Sequence, residues 1–322
     1  MTNLIKKNIR PHSFAAWMAF MRPKTFWIAA APVCVGTALA GAFVGSWNIW
    51  TFLLTLFGAV SIQAMSNMVN DYAYNVRKAE NGTRVGLPRA TTEGWISMAA
   101  AKKMIGFSIV LCSLFGIILV IIGGLPIALI AMLSLLCGYC YMGGPKPIAY
   151  TPFGELLVLV FYGLFAVSGT FWLQTHLFMW ITLIPGMSLG LLGAAVLFVN
   201  NYRDLEHDIS VGRHTLVAAC GKKLAITFYG FMIFLPFVFV GWLAPINPHY
   251  WPFLFVLITL PKASFLFQSL KRSTADNVTL VMFKTIQLEL IFGFLLTLAG
   301  IAVAFLSWPS FQLASSLFHS PF

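Results

Sequence analysis

Nine stretches of mostly apolar residues run through this chain, near 25–45, 49–70, 104–122, 125–142, 155–175, 178–200, 224–244, 250–269 and 285–307. Each approaches or exceeds the roughly 20 residues that an α-helix needs to cross a bilayer's hydrocarbon core. Inside lipid a backbone must satisfy its own hydrogen bonds, so runs of this length predict helices rather than loops or open sheet. Charged residues make up 9% of the 322 residues and hydrophobic ones 59%, against roughly 25% charged in soluble domains. The expected fold is therefore all-α: a polytopic membrane protein of nine transmembrane helices.

The charges check the count. The chain has 20 Lys and Arg residues. They fall before the first stretch (Lys6, Lys7, Arg10, Arg22, Lys24), after the second (Arg77, Lys78, Arg84, Arg89, Lys102, Lys103) and after the fourth (Lys146). The rest follow the sixth (Arg203, Arg213, Lys222, Lys223) and flank the end of the eighth (Lys262, Lys271, Arg272, Lys284). The connections between these have none. Nine crossings put every basic residue on one side, and the positive-inside rule makes that side cytoplasmic. The reading is a multi-pass protein of a bacterial inner membrane, with the N-terminus cytoplasmic and the C-terminus outside. Residues 1–24 form a cytoplasmic segment with an interfacial helix over 13–21, residues 25–307 the membrane domain, and 308–322 an outer tail. No secretory signal is evident, so the first stretch reads as a retained span.

The net charge of +11 suits anionic lipid headgroups or an anionic substrate at that face. Nucleic acid is not an expected partner, since these residues show no soluble domain to carry it, and no obligate protein partner is evident. Cys137 and Cys140 lie inside a span without a second pair or a nearby histidine, so they read as packing residues.

Two polar runs break the apolar pattern where the second and sixth spans reach the charged side: residues 67–75 and 200–208. They hold Asp71, Asp204, Glu206 and Asp208, four of the nine acidic residues. Ionisable groups at a span are expensive, and their default reading is functional. Asn200, Asp204 and Asp208 recur every four residues, as do Asn67, Asp71 and Asn75, which gives each run one polar helical face. Carboxylate and amide oxygens suit Mg²⁺, commonly held by one or two carboxylates plus substrate phosphates. The plainer alternative pairs Asp204 and Asp208 with Arg203 and Arg213 at the headgroups. No P-loop is present. A third constellation follows the fourth span, where a rigid Gly-Gly-Pro-Lys-Pro loop sets Lys146 beside Tyr139, Tyr141 and Tyr150, as a connector or a substrate lid.

These residues resemble the UbiA-type intramembrane prenyltransferases over nearly the whole chain. The likeness rests on Arg22-Pro-Lys-Thr25, on Asn67, Asn70, Asp71 and Tyr72, and on Arg84 through Ala90. It continues through Gly144-Pro-Lys-Pro147, Gly154-Glu155, Asn200-Asn-Tyr-Arg-Asp204 with Asp208, and Gly212 followed by Thr215-Leu216. Within the family the pattern is most similar to the branch that prenylates 1,4-dihydroxy-2-naphthoate in menaquinone synthesis. The resemblance implies a nine-helix bundle around a central cavity, holding a polyprenyl diphosphate and a small aromatic acceptor. It implies Mg²⁺ on Asp71, Asp204, Asp208 and Glu80, with Asp71, Asp204, Asp208, Lys146 and Arg203 catalytic. Lys24, Asn67, Asn70, Arg84, Tyr139, Tyr141, Tyr150, Asn200 and Asn201 are then the substrate-binding set.

One position departs from the family. Its first motif has the form N-D-x-x-D, and the second Asp is here Tyr74, a phenol with a pKa near 10 and a poor Mg²⁺ ligand. Three other readings stay open on the residues: the same chemistry on another acceptor such as 4-hydroxybenzoate, a weakened isoprenoid-binding member, and a transporter with intramembrane carboxylates.

Overall fold

The computed structural model of the chain describes residues 9–79, 86, 88–273 and 277–318, the last stretch from 308 by backbone alone. The described residues form helices and turns, with no strand among them. A short helix, α1 (Phe14–Met21), is capped by the Ser13 hydroxyl and precedes α2 (Phe26–Val44). The next is α3 (Ile49–Val76), whose first turn is capped by Asn48 through the amides of Trp50 and Thr51. Then come α4 (Met98–Cys140), α5 (Gly154–Thr175), α6 (Leu183–Arg203), the short α7 (Leu205–Ser210), α8 (Leu216–Gly241), α9 (Pro248–Lys271) and α10 (Val278–Phe318).

Eight helical segments are long and apolar enough to cross a membrane. The third, α4, is two crossings in one. At Gly124 the backbone turns to φ 67°, ψ −154°, a conformation that glycine adopts without steric cost. The chain then folds back: a Cβ on Gly116 would lie 3.8 Å from the Cβ of Ala131, where an unbroken helix would set the two about 22 Å apart. Trp172 of α5 donates its indole N–H to the Gly123 carbonyl at 2.8 Å, satisfying an acceptor that a helix end leaves open. With this hairpin counted, the described segments make the nine crossings that the sequence implies.

Helix α2 packs on α3, α5 and α10, while α6 packs on α5, α8 and α10. Helices α8 and α9 stand outside this ring, burying Phe237, Phe253 and Val256 against α10 in the larger apolar core. A second core joins Phe20 of α1 to Met65 and Met68 of α3 and to Ile105 and Cys112 of α4. The middle of α5, Leu159–Phe165, is wound as a π-helix. There its backbone meets α6 directly: a Cβ on Gly163 would lie 2.4 Å from the Gly186 carbonyl oxygen and 2.7 Å from the Gly190 Cα. Small residues let helices approach this closely in a membrane. Gly163→Ala is accordingly expected to destabilise the detergent-solubilised protein by roughly 1–3 kcal/mol, whereas Gly106→Ala, where a Cβ meets nothing within 4 Å, leaves the thermal midpoint unchanged or slightly raised. A similar midpoint for the two variants contradicts this packing.

Candidate active site

Helices α2, α3, both arms of α4, α5, α6 and α10 enclose a cavity of about 1520 Å³. Drug-sized pockets occupy roughly 300–1,000 Å³, so there is room for a headgroup and a long tail together. Its deeper part is apolar, walled by Ile28, Val33, Ile62, Phe161, Phe165 and Leu173. Ile117, Ile121 and Met132 line it and also face outward. A seam of hydrogen bonds runs along one wall. Asn67 donates to the Thr25 hydroxyl and the Met21 carbonyl, both at 2.8 Å, Gln63 donates to Thr25 at 3.1 Å, and Tyr162 donates to Gln63.

The other end is charged. Among the described residues its wall carries Arg22, Lys24, Arg89, Arg203 and Arg213 but a single carboxylate, Asp204. Asp204 caps the end of α6 and is gripped by Arg203, at 2.9 Å through Nε and 2.6 Å through Nη2, while the same guanidinium donates to Asn200 at 2.8 Å. One turn on, the buried Asp208 receives Arg213 at 2.6 Å. The plainer alternative, Asp204 and Asp208 paired with Arg203 and Arg213, is thus present in the structure, and Arg203, Asp204 and Arg213 lie on the cavity lining. A buried pair of this kind adds little stability over apolar packing. Its worth lies in keeping charge ready inside a low-dielectric site, where it acts strongly.

The first polar run is oriented differently from the second. Its cavity face is Asn67, Asn70 and Tyr74, not the Asn67, Asp71, Asn75 face read from the four-residue spacing. Asp71 is fully buried and bonds the following loop: Ala90 N–H and Thr91 N–H each donate at 2.9 Å, the Thr91 hydroxyl at 2.7 Å, and Arg22 approaches to 3.8 Å. This bracket sets Arg89 on the cavity wall. There Arg89 donates to the Asn70 amide oxygen at 2.9 Å and lies 3.7 Å above the centre of the Tyr74 ring. The Tyr74 hydroxyl and the His207 Nε2 are hydrogen-bonded at 2.7 Å, joining the two polar runs.

The remaining expected residues divide. Lys24, Asn67, Asn70, Tyr141, Asn200, Arg203 and Asp204 line the cavity. Asn201 is buried behind it, donating to Glu155 at 2.8 Å. Tyr139 and Lys146 are exposed and Tyr150 is half-buried, none of them on the lining. Glu80 and Arg84 lie outside the described residues. The loop carrying Lys146 is held from below: Arg77 donates to the Met142 carbonyl at 2.7 Å and to that of Gly144, and Arg213 donates to the Ala149 carbonyl at 3.2 Å. Arg22, Arg89 and Arg213 are the site residues that residue-by-residue reading left out. All three stand inside the motifs that carried the family likeness, and they are identifiable only once the folded chain shows which way each faces.

The two runs differ in fitness for a divalent metal. The second supplies two carboxylates one helical turn apart, the Asn200 amide, and the Asn201 Oδ1, which is buried without a hydrogen-bond partner. That donor set suits a hard cation. No group of three or more His, Cys, Asp or Glu side chains gathers among the described residues, so a cation held here would need phosphate and water to complete its shell, as is usual for Mg²⁺. Among the described residues, the cavity face of the first run offers the Asn67 and Asn70 amides and the Tyr74 phenol but no carboxylate.

The UbiA prenyltransferase family model matches residues 29–288. The 1,4-dihydroxy-2-naphthoate octaprenyltransferase of Escherichia coli K12 is 33% identical over 224 residues, 68% of this chain and 72% of that one. The enzyme of the same description from Bacillus subtilis 168 is 30% identical over 289 residues, 88% and 91% of the two chains. The solved structure of a UbiA homolog from Archaeoglobus fulgidus bound to GPP and Mg²⁺ shares the fold, with a TM-score of 0.67 at 15% identity over 90% of this chain and 99% of that one.

Proposed function

The chain belongs to the UbiA prenyltransferase family, and we propose that it transfers a polyprenyl group from a polyprenyl diphosphate to 1,4-dihydroxy-2-naphthoate in menaquinone synthesis. The observation that carries this reading is a single cavity, apolar within and lined at its mouth by five basic residues and the Arg203-bound Asp204. An amphiphile with a dianionic or trianionic head and an apolar tail matches both ends. The named relatives supply the acceptor.

Asp204 and Asp208 would hold a divalent ion, for which we propose Mg²⁺, with Asn200 and Asn201 in support. When bound, such an ion supplies positive charge against the diphosphate leaving group. Arg22, Lys24, Arg203 and Arg213 offer charge-assisted donors to the remaining phosphate oxygens. The allylic C–O bond breaks with its electron pair going to the diphosphate, a carbon of the electron-rich ring supplies the pair for the new C–C bond, and that carbon then sheds its proton, or its carboxyl group as carbon dioxide, the electron pair of the broken bond restoring the aromatic ring. The apolar wall from Ile28 to Leu173 seats the prenyl chain and keeps water from the developing cation. Tyr141, on the cavity lining, is the tyrosine we assign to the acceptor or the cation.

The protein is an integral, multi-pass membrane protein. We place it in the bacterial inner membrane with the N-terminus and both polar runs cytoplasmic, where water-soluble acceptor and diphosphate heads arrive. Quinone extraction tests the pathway. Cells deleted for the chain are expected to lose menaquinone and regain it on complementation, and unchanged menaquinone excludes the assignment. A loss confined to a benzoquinone would instead point to a 4-hydroxybenzoate-type acceptor.

A further inference from the structure

Glu289, in the membrane-spanning part of α10, has no part in the chemistry above. It is 1% exposed, and its Oε2 is buried with no hydrogen-bond partner among the described residues. A polar group left unpaired in the interior costs free energy, and an ionisable residue inside a span is functional by default. Its position points to a ligand in the cavity. Met282, Phe283, Ile286 and Gln287 of the same helix line that cavity. Glu289 follows Met282 by seven residues and Ile286 by three, which sets it on the same face, one turn deeper. Opposite it on α6 is Gly193, itself a lining residue, where a Cβ would lie 3.5 Å from the Glu289 Oε1. The missing side chain leaves the carboxyl at the cavity's edge. About three turns of α6, roughly 16 Å, separate Gly193 from Asp204, so the carboxyl is too deep to serve the diphosphate or its ion. Near this depth α5 meets α6 at Gly163 and Gly190, and the neighbouring Tyr162 lines the cavity with its hydroxyl bonded to Gln63. Gln63 bonds Thr25 in turn, next to Lys24. A short polar seam thus joins the basic end of the cavity to the level of Glu289.

The charge on the acceptor decides how it lies along that seam. The carboxylate of 1,4-dihydroxy-2-naphthoate belongs with the lysine and arginines of the mouth, and its 1-hydroxyl stands beside the carboxylate. The 4-hydroxyl is then carried inward, across the ring, into an otherwise apolar wall where it needs a partner. We propose that Glu289 is that partner: its carboxyl oxygen accepts a hydrogen bond from the 4-hydroxyl and fixes the ring with its carboxylate toward the mouth. The inference rests on the naphthoate reading and names a specificity-determining contact for it. In apolar pockets a few placed polar groups set orientation. A site built to bond a hydroxyl rejects an analogue without one, because its own buried group is then left unpaired.

Binding of two acceptors tests this apart from turnover. Equilibrium dialysis of the full-length protein in detergent, under nitrogen, with Mg²⁺ and the slowly ionising analogue farnesyl thiolodiphosphate, compares 1,4-dihydroxy-2-naphthoate with 1-hydroxy-2-naphthoate. The second lacks only the 4-hydroxyl. The wild type is expected to prefer the dihydroxy compound roughly tenfold or more, the weight of a hydrogen bond to a buried carboxyl. In Glu289→Leu the two affinities should converge. The same variant should melt no lower than the wild type, since an apolar side chain replaces an unpaired buried carboxyl; a packing role for Glu289 predicts the opposite. Should leucine misfit, the unbranched Glu289→Met carries the same expectation for the two affinities. Equal affinities in the wild type overturn the proposal, and so does an undiminished preference in the folded variant. If the wild type binds neither naphthoate, the naphthoate reading itself fails and this inference with it, an outcome distinct from binding both equally.

Discussion

Asp204→Asn is expected to lower prenyl transfer by roughly 100- to 1,000-fold or more, the range for removing one preorganised electrostatic contact to a transition state. The side chain stays nearly the same in shape, so the bundle survives. What disappears is a full negative charge at the only carboxylate on the described cavity lining, one that Arg203 grips through two nitrogens at 2.6 and 2.9 Å. A neutral amide cannot anchor a divalent ion of the kind proposed, and it frees Arg203 to take other partners. Turnover measured across a Mg²⁺ titration checks this: the loss should persist at saturating metal, and recovery at high Mg²⁺ would mean that Asp204 only tunes affinity.

Arg213→Ala has a second large effect, on the fold as well as the site. It takes the Arg213 guanidinium away from Asp208, a carboxylate with no exposed surface, and removes the donor to the Ala149 carbonyl. Breaking a buried ion pair from one side costs roughly 3–5 kcal/mol. The solubilised protein should therefore melt well below the wild type and be inactive. The double variant Asp208→Asn, Arg213→Met separates the two effects. Removing both charges together restores much of the stability, because the uncompensated charge is gone, but turnover stays lost. A double variant as unstable as the single one would show that the Ala149 bond, not the ion pair, carries the cost.

Much of this architecture is written locally, and that part is legible in the sequence. Span number follows from apolar length and from the side on which each lysine and arginine falls, and even the α4 hairpin announces itself in Gly123-Gly124. Arg203 with Asp204, and Asp208 with Arg213, are near neighbours in sequence, so their pairing could be foreseen as the plainer alternative. The rest depends on long-range geometry. On a helix of 3.6 residues per turn, Asn70 and Asp71 point about 100° apart. Spacing alone could not decide whether the cavity sees Asn67, Asp71 and Asn75 or Asn67, Asn70 and Tyr74; the packing of α3 against α4 and the loop at Ala90 and Thr91 decides it. Tyr74 and His207 are 133 positions apart, and Tyr74 alone looks like a defect in a motif. Only the fold shows them as one hydrogen-bonded pair beneath Arg89.

The central claim is that this cavity ionises a polyprenyl diphosphate and delivers the prenyl group to an aromatic ring. The most direct measurement incubates the purified wild-type protein in detergent or liposomes with Mg²⁺, a radiolabelled polyprenyl diphosphate and 1,4-dihydroxy-2-naphthoate, and identifies the organic-phase product by mass. The expected result is a prenylated naphthohydroquinone, recovered as the quinone after oxidation by air, that forms with Mg²⁺, is absent with chelator, and is absent with Asp204→Asn. Bound but unconverted diphosphate, with this acceptor and with 4-hydroxybenzoate alike, would contradict the account and leave an isoprenoid-binding protein in its place.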